Sequence, residues 1–161
     1  MRISRVLPLL ALVFLAACSD QRATFEIKGG AHALSLIRIT RFPWDKTAQY
    51  SLVAARMPDC MRKHPMPAAG LETRVEVFSP GNDAWIVRQG RRMFVTETRT
   101  CQGFAALDKE PEGGLGDLVG TFEMRKGSLV FTPAPKAPAP AVAAVPGAPA
   151  GPAEDAGAPK N

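Results

Sequence analysis

The chain is poor in the residues that most enzymes lean on. Its 161 residues include one tyrosine, two histidines, two tryptophans and three cysteines. His32 and His64 are the only imidazole bases, and no G-x-S-x-G elbow is present to set a serine beside either of them. There is no H-E-x-x-H, no G-x-x-x-x-G-K-S/T and no C-x-x-C-H, so zincin, P-loop and covalent-haem chemistry have no support. The longest strongly apolar run, Val6 to Ala17, falls short of the ~20 residues that a membrane-spanning helix needs. Acidic residues are in the minority, 15 against 20 Lys and Arg, and they form no spaced catalytic pair.

What is present divides into unlike pieces. Arg2 and Arg5 precede the apolar run, as in a secretory leader. The run ends Leu15-Ala16-Ala17-Cys18. This resembles the lipobox of bacterial lipoproteins: an apolar residue, two small ones, then the cysteine that takes diacylglycerol. The resemblance implies a signal peptide over 1–17, cleavage before Cys18 and palmitate-type acylation of Cys18. It covers the leader and Cys18 alone. Ser19 follows, and in lipoproteins a residue other than Asp there implies the periplasmic side of the outer membrane, with the inner membrane as the alternative. The mature chain resembles no family.

With Cys18 assigned to lipid, Cys60 and Cys101 remain. An even pair in an oxidising compartment reads as one disulfide. That bridge requires Cα atoms within about 7 Å, so the Pro58–Pro67 segment must lie beside the end of the Arg91–Thr98 strand. A zinc site would need about four ligands, and Cys60 with His64 supplies two. No metal or cofactor is expected.

Residues 18–22 read as a lipidated polar tether and 23–132 as one β domain. Ala23 to Lys28 alternates, with Phe25 and Ile27 on one face. Gly29-Gly30 turns the chain into Ala33 to Arg41, whose Leu34, Leu36, Ile37 and Ile39 do not select one face. Gln49 to Met57 is the next strand. Pro58, Pro65 and Pro67 argue against a regular element there, apart from one helical turn over Asp59 to His64. Glu72 to Phe78, Ala84 to Arg88 and Arg91 to Thr98 form a meander. A Gln89-Gly90 loop would set Trp85 opposite Phe94 and Ile86 opposite Met93. An exposed flexible acidic-glycine loop covers 108–117. Calcium does not suit it, because Lys109 and Pro111 interrupt the ligand order. Leu118 to Met124 and Ser128 to Thr132 meet through Lys126-Gly127. The pattern predicts an all-β, small antiparallel β-sandwich or barrel of about eight short strands. The tail, 133–161, is dominated by Ala and Pro and reads as disordered.

Four side chains are candidate partner contacts. Trp44, in the Phe42-Pro43-Trp44-Asp45 turn, is either an exposed aromatic platform or a lid folded back on the core. Arg88, Arg91 and Arg92 cluster about the hairpin tip and suit an envelope protein, a glycan or an anionic lipid. The exported address disfavours nucleic acid. The expected function is that of a membrane-anchored, non-catalytic envelope lipoprotein whose β domain binds or braces a periplasmic partner. The alternatives are a small-ligand-binding β-barrel, or a hydrolytic enzyme using carboxylates or His64.

Overall fold

The computed structural model describes residues 19–135. The expected leader 1–17, the expected lipidation at Cys18 and the expected tail beyond 135 lie outside the described residues. The strands are β1 Ser19–Glu26, β2 His32–Thr40, β3 Thr47–Arg56, β4 Cys60–Gly70 and β5 Val75–Gly81. They continue as β6 Ala84–Gln89, β7 Arg92–Glu97, β8 Phe104–Leu107, β9 Asp117–Arg125 and β10 Ser128–Pro133. Two antiparallel sheets result, one of four strands in the order β1-β2-β3-β4 and one of six in the order β10-β9-β5-β6-β7-β8.

The sheets share one core. Leu34, Leu36, Tyr50, Leu52 and Met66 come from the first sheet, and Val75, Val77, Trp85, Val87, Phe94 and Phe122 from the second. Alternation along each strand drives this arrangement, because successive side chains point to opposite faces. Phe25 packs edge-on against Trp85 and stacks on Phe131, so β1 is tied across to the second sheet. In β2, Leu34 and Leu36 face this core while Ala33 and Ile37 are buried on the other side. Burial on both faces explains why β2 shows no clean alternation. Sheet two also buries a small outer cluster of Phe78, Ile86 and Leu115.

Several expectations need correction. Strand β1 begins at Ser19, so residues 19–22 of the expected tether are sheet, paired with β2 as far as Ser19 opposite Thr40. The Pro58–Pro67 region holds no helical turn: β4 runs through it. Its prolines are tolerated because β4 pairs only with β3, and an edge strand does not need every N–H. Strand β8 is a second addition, bringing the strand count to ten.

The β6–β7 loop is Gly90-Arg91, with Gln89 opposite Arg92. Trp85 therefore faces Thr96, Val87 faces Phe94, and Ile86 faces Val95. Gly90 has φ of 60°, as at the first central position of a type II′ turn, and that position must be glycine. Moving the turn by one residue shifts the pairing by two, so Trp85 and Phe94 keep their inward face. The β9–β10 turn is Lys126-Gly127 as expected, with φ of 50° and 80° in the type I′ pattern.

The 108–116 connection is not a loose loop. Strands β1 to β8 run alternately up and down, so β8 ends level with Ser19. The connection then crosses the outer face of the six-stranded sheet, where Leu115 packs on Phe78 and Ile86. It delivers the chain to Asp117, opposite Ser79 at the far end of β5.

Candidate interaction surfaces

This topology sorts the turns between two ends. The Ser19 end carries the β2–β3 tip, the β4–β5 connection and the β6–β7 and β9–β10 turns. The Pro133 end carries the β1–β2, β3–β4, β5–β6 and β7–β8 turns. Gln21 of β1 donates to Gly127 O at 2.8 Å, and Gln89 of β6 donates to Pro67 O at 3.1 Å. These bonds hold the two sheets together at the Ser19 end.

The β2–β3 tip is the clearest exposed aromatic feature. Phe42 and Trp44 are 46% and 71% exposed, so Trp44 is no lid on the core. Their rings stack at 5.1 Å with 6° between planes. Asp45 fastens the turn: its carboxylate accepts the Phe42 N–H at 3.0 Å, and its own N–H donates to Phe42 O at 3.1 Å. Arg41 and Lys46 flank the pair and are exposed. Phe42 was legible as part of a turn but not as a partner to Trp44. The two-residue spacing across Pro43 is the signal that points to it.

The three arginines do not act as one cluster. Arg88 lies on the outer face of the six-stranded sheet, donating to Glu76 at 2.6 Å and sitting over the Phe78 ring at 5.0 Å. Arg91 and Arg92 are exposed at the turn. Only these two share the Ser19 end with Trp44, and they do so from the other sheet.

The Pro133 end is built for rigidity. Cys60 and Cys101 form a disulfide with Cα atoms 5.9 Å apart, so the Pro58–Pro67 segment does lie beside the end of β7. His64 is buried, its Nε2 lies 2.9 Å from Cys101 O, and its ring stacks on Phe104 at 4.8 Å. His32 is also buried, with Nε2 2.8 Å from Thr98 Oγ1. Burial lowers its pKa, and the Arg56 charge lowers it further. Both imidazoles are thus buried within the frame, each beside a hydrogen-bond partner from another strand or turn.

Glu97 organises the β7–β8 turn in the same way. Its carboxylate accepts N–H bonds from Arg99, Thr100, Gln102 and Gly103 and the Thr100 hydroxyl, all between 2.6 and 3.1 Å. Burial pushes its pKa up, but the Thr100, Gly103 and Arg99 donors outweigh this and hold it at about 2. A carboxylate so saturated is a turn-former. Sequence reading passed over it because the donors are mainly backbone.

The interior is filled by side chains, with Tyr50, Phe122, Leu34, Leu36 and Leu52 nearly or fully inaccessible. The concavities described, such as the one lined by Ala106, Leu107 and Asp108 to Glu112, are open and lie on the outside. Among the described residues no group of three or more His, Cys, Asp or Glu is placed to hold a metal ion. No known protein family, curated protein or solved structure matches the chain.

Proposed function

We propose that the protein is a membrane-anchored envelope lipoprotein, acylated at Cys18 on the periplasmic side of the outer membrane. Its non-catalytic β domain binds or braces a periplasmic partner. The observation that carries this reading is the disposition of the two chain ends. The peptide that follows Cys18 enters the sheet at once, since Ser19 already pairs with Thr40. Strand β10 leaves the domain at Pro133, at the opposite end. The 108–116 crossover is what produces this separation. A strictly up-and-down chain of ten strands would return to the side on which it began.

A rigid, disulfide-closed spacer with the lipid at one end and the Ala- and Pro-rich tail leaving the other suits a brace. Acyl chains hold one end at the bilayer. The tail then departs from the side facing away from it, where a partner in the periplasm is within reach. Both histidines and Glu97 are committed to turns and seams, which supports a binding role over a hydrolytic one.

Two measurements test the reading in intact cells. Labelled palmitate should enter the wild type and not Cys18→Ser, and only the wild type should fractionate with membranes. Photo-crosslinkers placed in the tail and at Arg99 should form discrete adducts with an envelope component. Crosslinkers that give no adduct at either place would overturn the bracing role even if the anchor stands.

A further inference from the structure

The β2–β3 tip carries an inference that goes beyond anchoring and rests on the lipidation of Cys18. We propose that Phe42 and Trp44, framed by Arg41 and Lys46, dock into the anionic lipid interface beside the acylated cysteine, fixing the orientation of the domain on the bilayer.

Proximity is the first ground. Ser19 and Thr40 are cross-strand partners. Paired Cα atoms lie at most about 5.5 Å apart, so Ser19, the residue bonded to Cys18, sits directly beside Thr40. Phe42 is two residues further on. Any acyl chain on Cys18 therefore draws this tip to the membrane surface.

Chemistry is the second ground. Two large rings stand stacked and largely exposed on a turn that Asp45 holds rigid. Exposed apolar surface of this kind marks an interaction site. Indole combines an apolar body with an N–H, which suits the headgroup boundary where one side is apolar and the other wet.

Charge is the third ground. Arg41 and Lys46 bracket the rings, and Arg91, Arg92 and Lys126 are exposed on other turns of the same end. The acidic groups at this end are Asp45, engaged with the Phe42 amide, Glu72 on the β4–β5 connection, Asp20 at the start of β1, and Asp108 and Glu110 just past β8, where Asp108 lies beside Arg91 and Arg92 and Glu110 acts on Arg88 rather than on the aromatic tip. The balance at the tip favours anionic headgroups.

The test uses the full lipidated protein in vesicles of phosphatidylethanolamine and phosphatidylglycerol. A fraction of the lipid is brominated near the top of its acyl chain. Trp85 is buried and donates to Thr98 Oγ1 at 3.2 Å, so it gives a constant background and Trp44 is the reporter. Expected are a blue shift and bromolipid quenching in the wild type, both lost in Trp44→Phe. Arg41→Glu with Lys46→Glu should weaken the quenching, and replacing phosphatidylglycerol by phosphatidylcholine should do the same.

Acylated, vesicle-bound protein whose emission is unquenched would overturn the docking and leave the anchor intact. Failure of palmitate to enter the protein would remove the anchor and the docking together. A blue shift without lipid quenching that grows with protein density would assign the tip to a second copy and overturn the proposal. Quenching indifferent to headgroup charge would overturn its anionic component.

Discussion

His64 of β4 lies flat on Phe104 of β8, with ring centres 4.8 Å apart and 9° between planes, and Phe104 in turn stacks on Phe94. β4 and β8 are each an edge strand of their sheet, with no backbone ladder between them. The stack, the His64–Cys101 hydrogen bond and the Cys60–Cys101 bridge close this seam. His64→Ala should therefore cost about 2–3 kcal/mol in urea denaturation, from one buried hydrogen bond and one ring stack. His64→Phe, which keeps a ring, should recover part of that loss. Equal losses in the two variants would show that the stack contributes nothing.

The bridge itself closes a loop of 41 residues, worth about 3–4 kcal/mol in the chain-entropy account. Adding a reductant to the folded protein should lower the thermal midpoint by a corresponding amount. A midpoint that ignores the reductant while both thiols become alkylated would remove the bridge from the list of stabilising features.

Acid should weaken the fold in two stages. Burial, reinforced by Arg56, holds the His32 pKa below its ordinary 6.5. Below pH 6.5 the unfolded chain binds a proton that the folded chain resists, so stability declines as pH falls through that range. Glu97 is held at about 2 against an ordinary 4.5, so its contribution is complete above pH 4.5 and is lost as pH falls toward 2. His32→Gln should flatten the first decline. Glu97→Gln should flatten the second and cost about 1–3 kcal/mol at neutral pH. Denaturation midpoints across the acid range would show both limbs, and an unchanged profile in either variant would refute its assignment.

Much of the architecture was legible because it rests on local rules. The Phe25 and Ile27 face, the Val75 and Val77 face, the Gly29 and Lys126-Gly127 turns and the Cys60–Cys101 pairing all follow from parity, turn chemistry or cysteine count. What was hidden depends on neighbours distant in sequence. Pro65 and Pro67 looked like breakers, and only the edge position of β4 makes them compatible with a strand. Phe104 to Leu107 is too short to show alternation. Trp44 could be named as a candidate, but whether it covers the core or faces outward depends on what the core has already filled. Leu115 was the one apolar signal that the acidic loop is fastened.

That fastening has a tight point. Gly116 has φ of +82°, and a Cβ there would collide with Ser79 O and meet Pro80 Cα at 2.6 Å. Backbone cannot yield as a flexible side chain does. Gly116→Ala should lift the crossover from the outer sheet face and destabilise the fold by more than about 1 kcal/mol, the usual cost of a misplaced glycine replacement. Proteolysis should then cut between 108 and 116 faster than in the wild type. Gly127→Ala is the control, since its Cβ would meet nothing within 4 Å and only its φ of +80° is affected. Equal effects of the two changes would mean that the crossover is not held at Gly116.

Arg38 offers a change in the opposite direction. It is 6% exposed, its Nε lacks a hydrogen-bond partner, and it forms no ion pair among the described residues. It faces Tyr50 across the β2–β3 ladder, and burial raises the Tyr50 pKa against the opposing effect of Arg38. The Tyr50 hydroxyl donates to Gly70 O at 2.9 Å, so it does not depend on the guanidinium for satisfaction. A buried charge without a counterion loses hydration, and here the Tyr50 side chain compensates in part while Nε stays unpaired. Even a buried ion pair can often be replaced by apolar side chains of similar volume with a neutral effect or a gain of about 1–4 kcal/mol, and a buried charge without its counterion has less attraction to lose. Arg38→Met should accordingly raise the urea midpoint without changing the slope of the transition. A lowered midpoint would mean that the guanidinium makes interactions worth more than its desolvation. A rise in Arg38→Met that Tyr50→Phe abolishes would place the cost in the Arg38–Tyr50 pair itself.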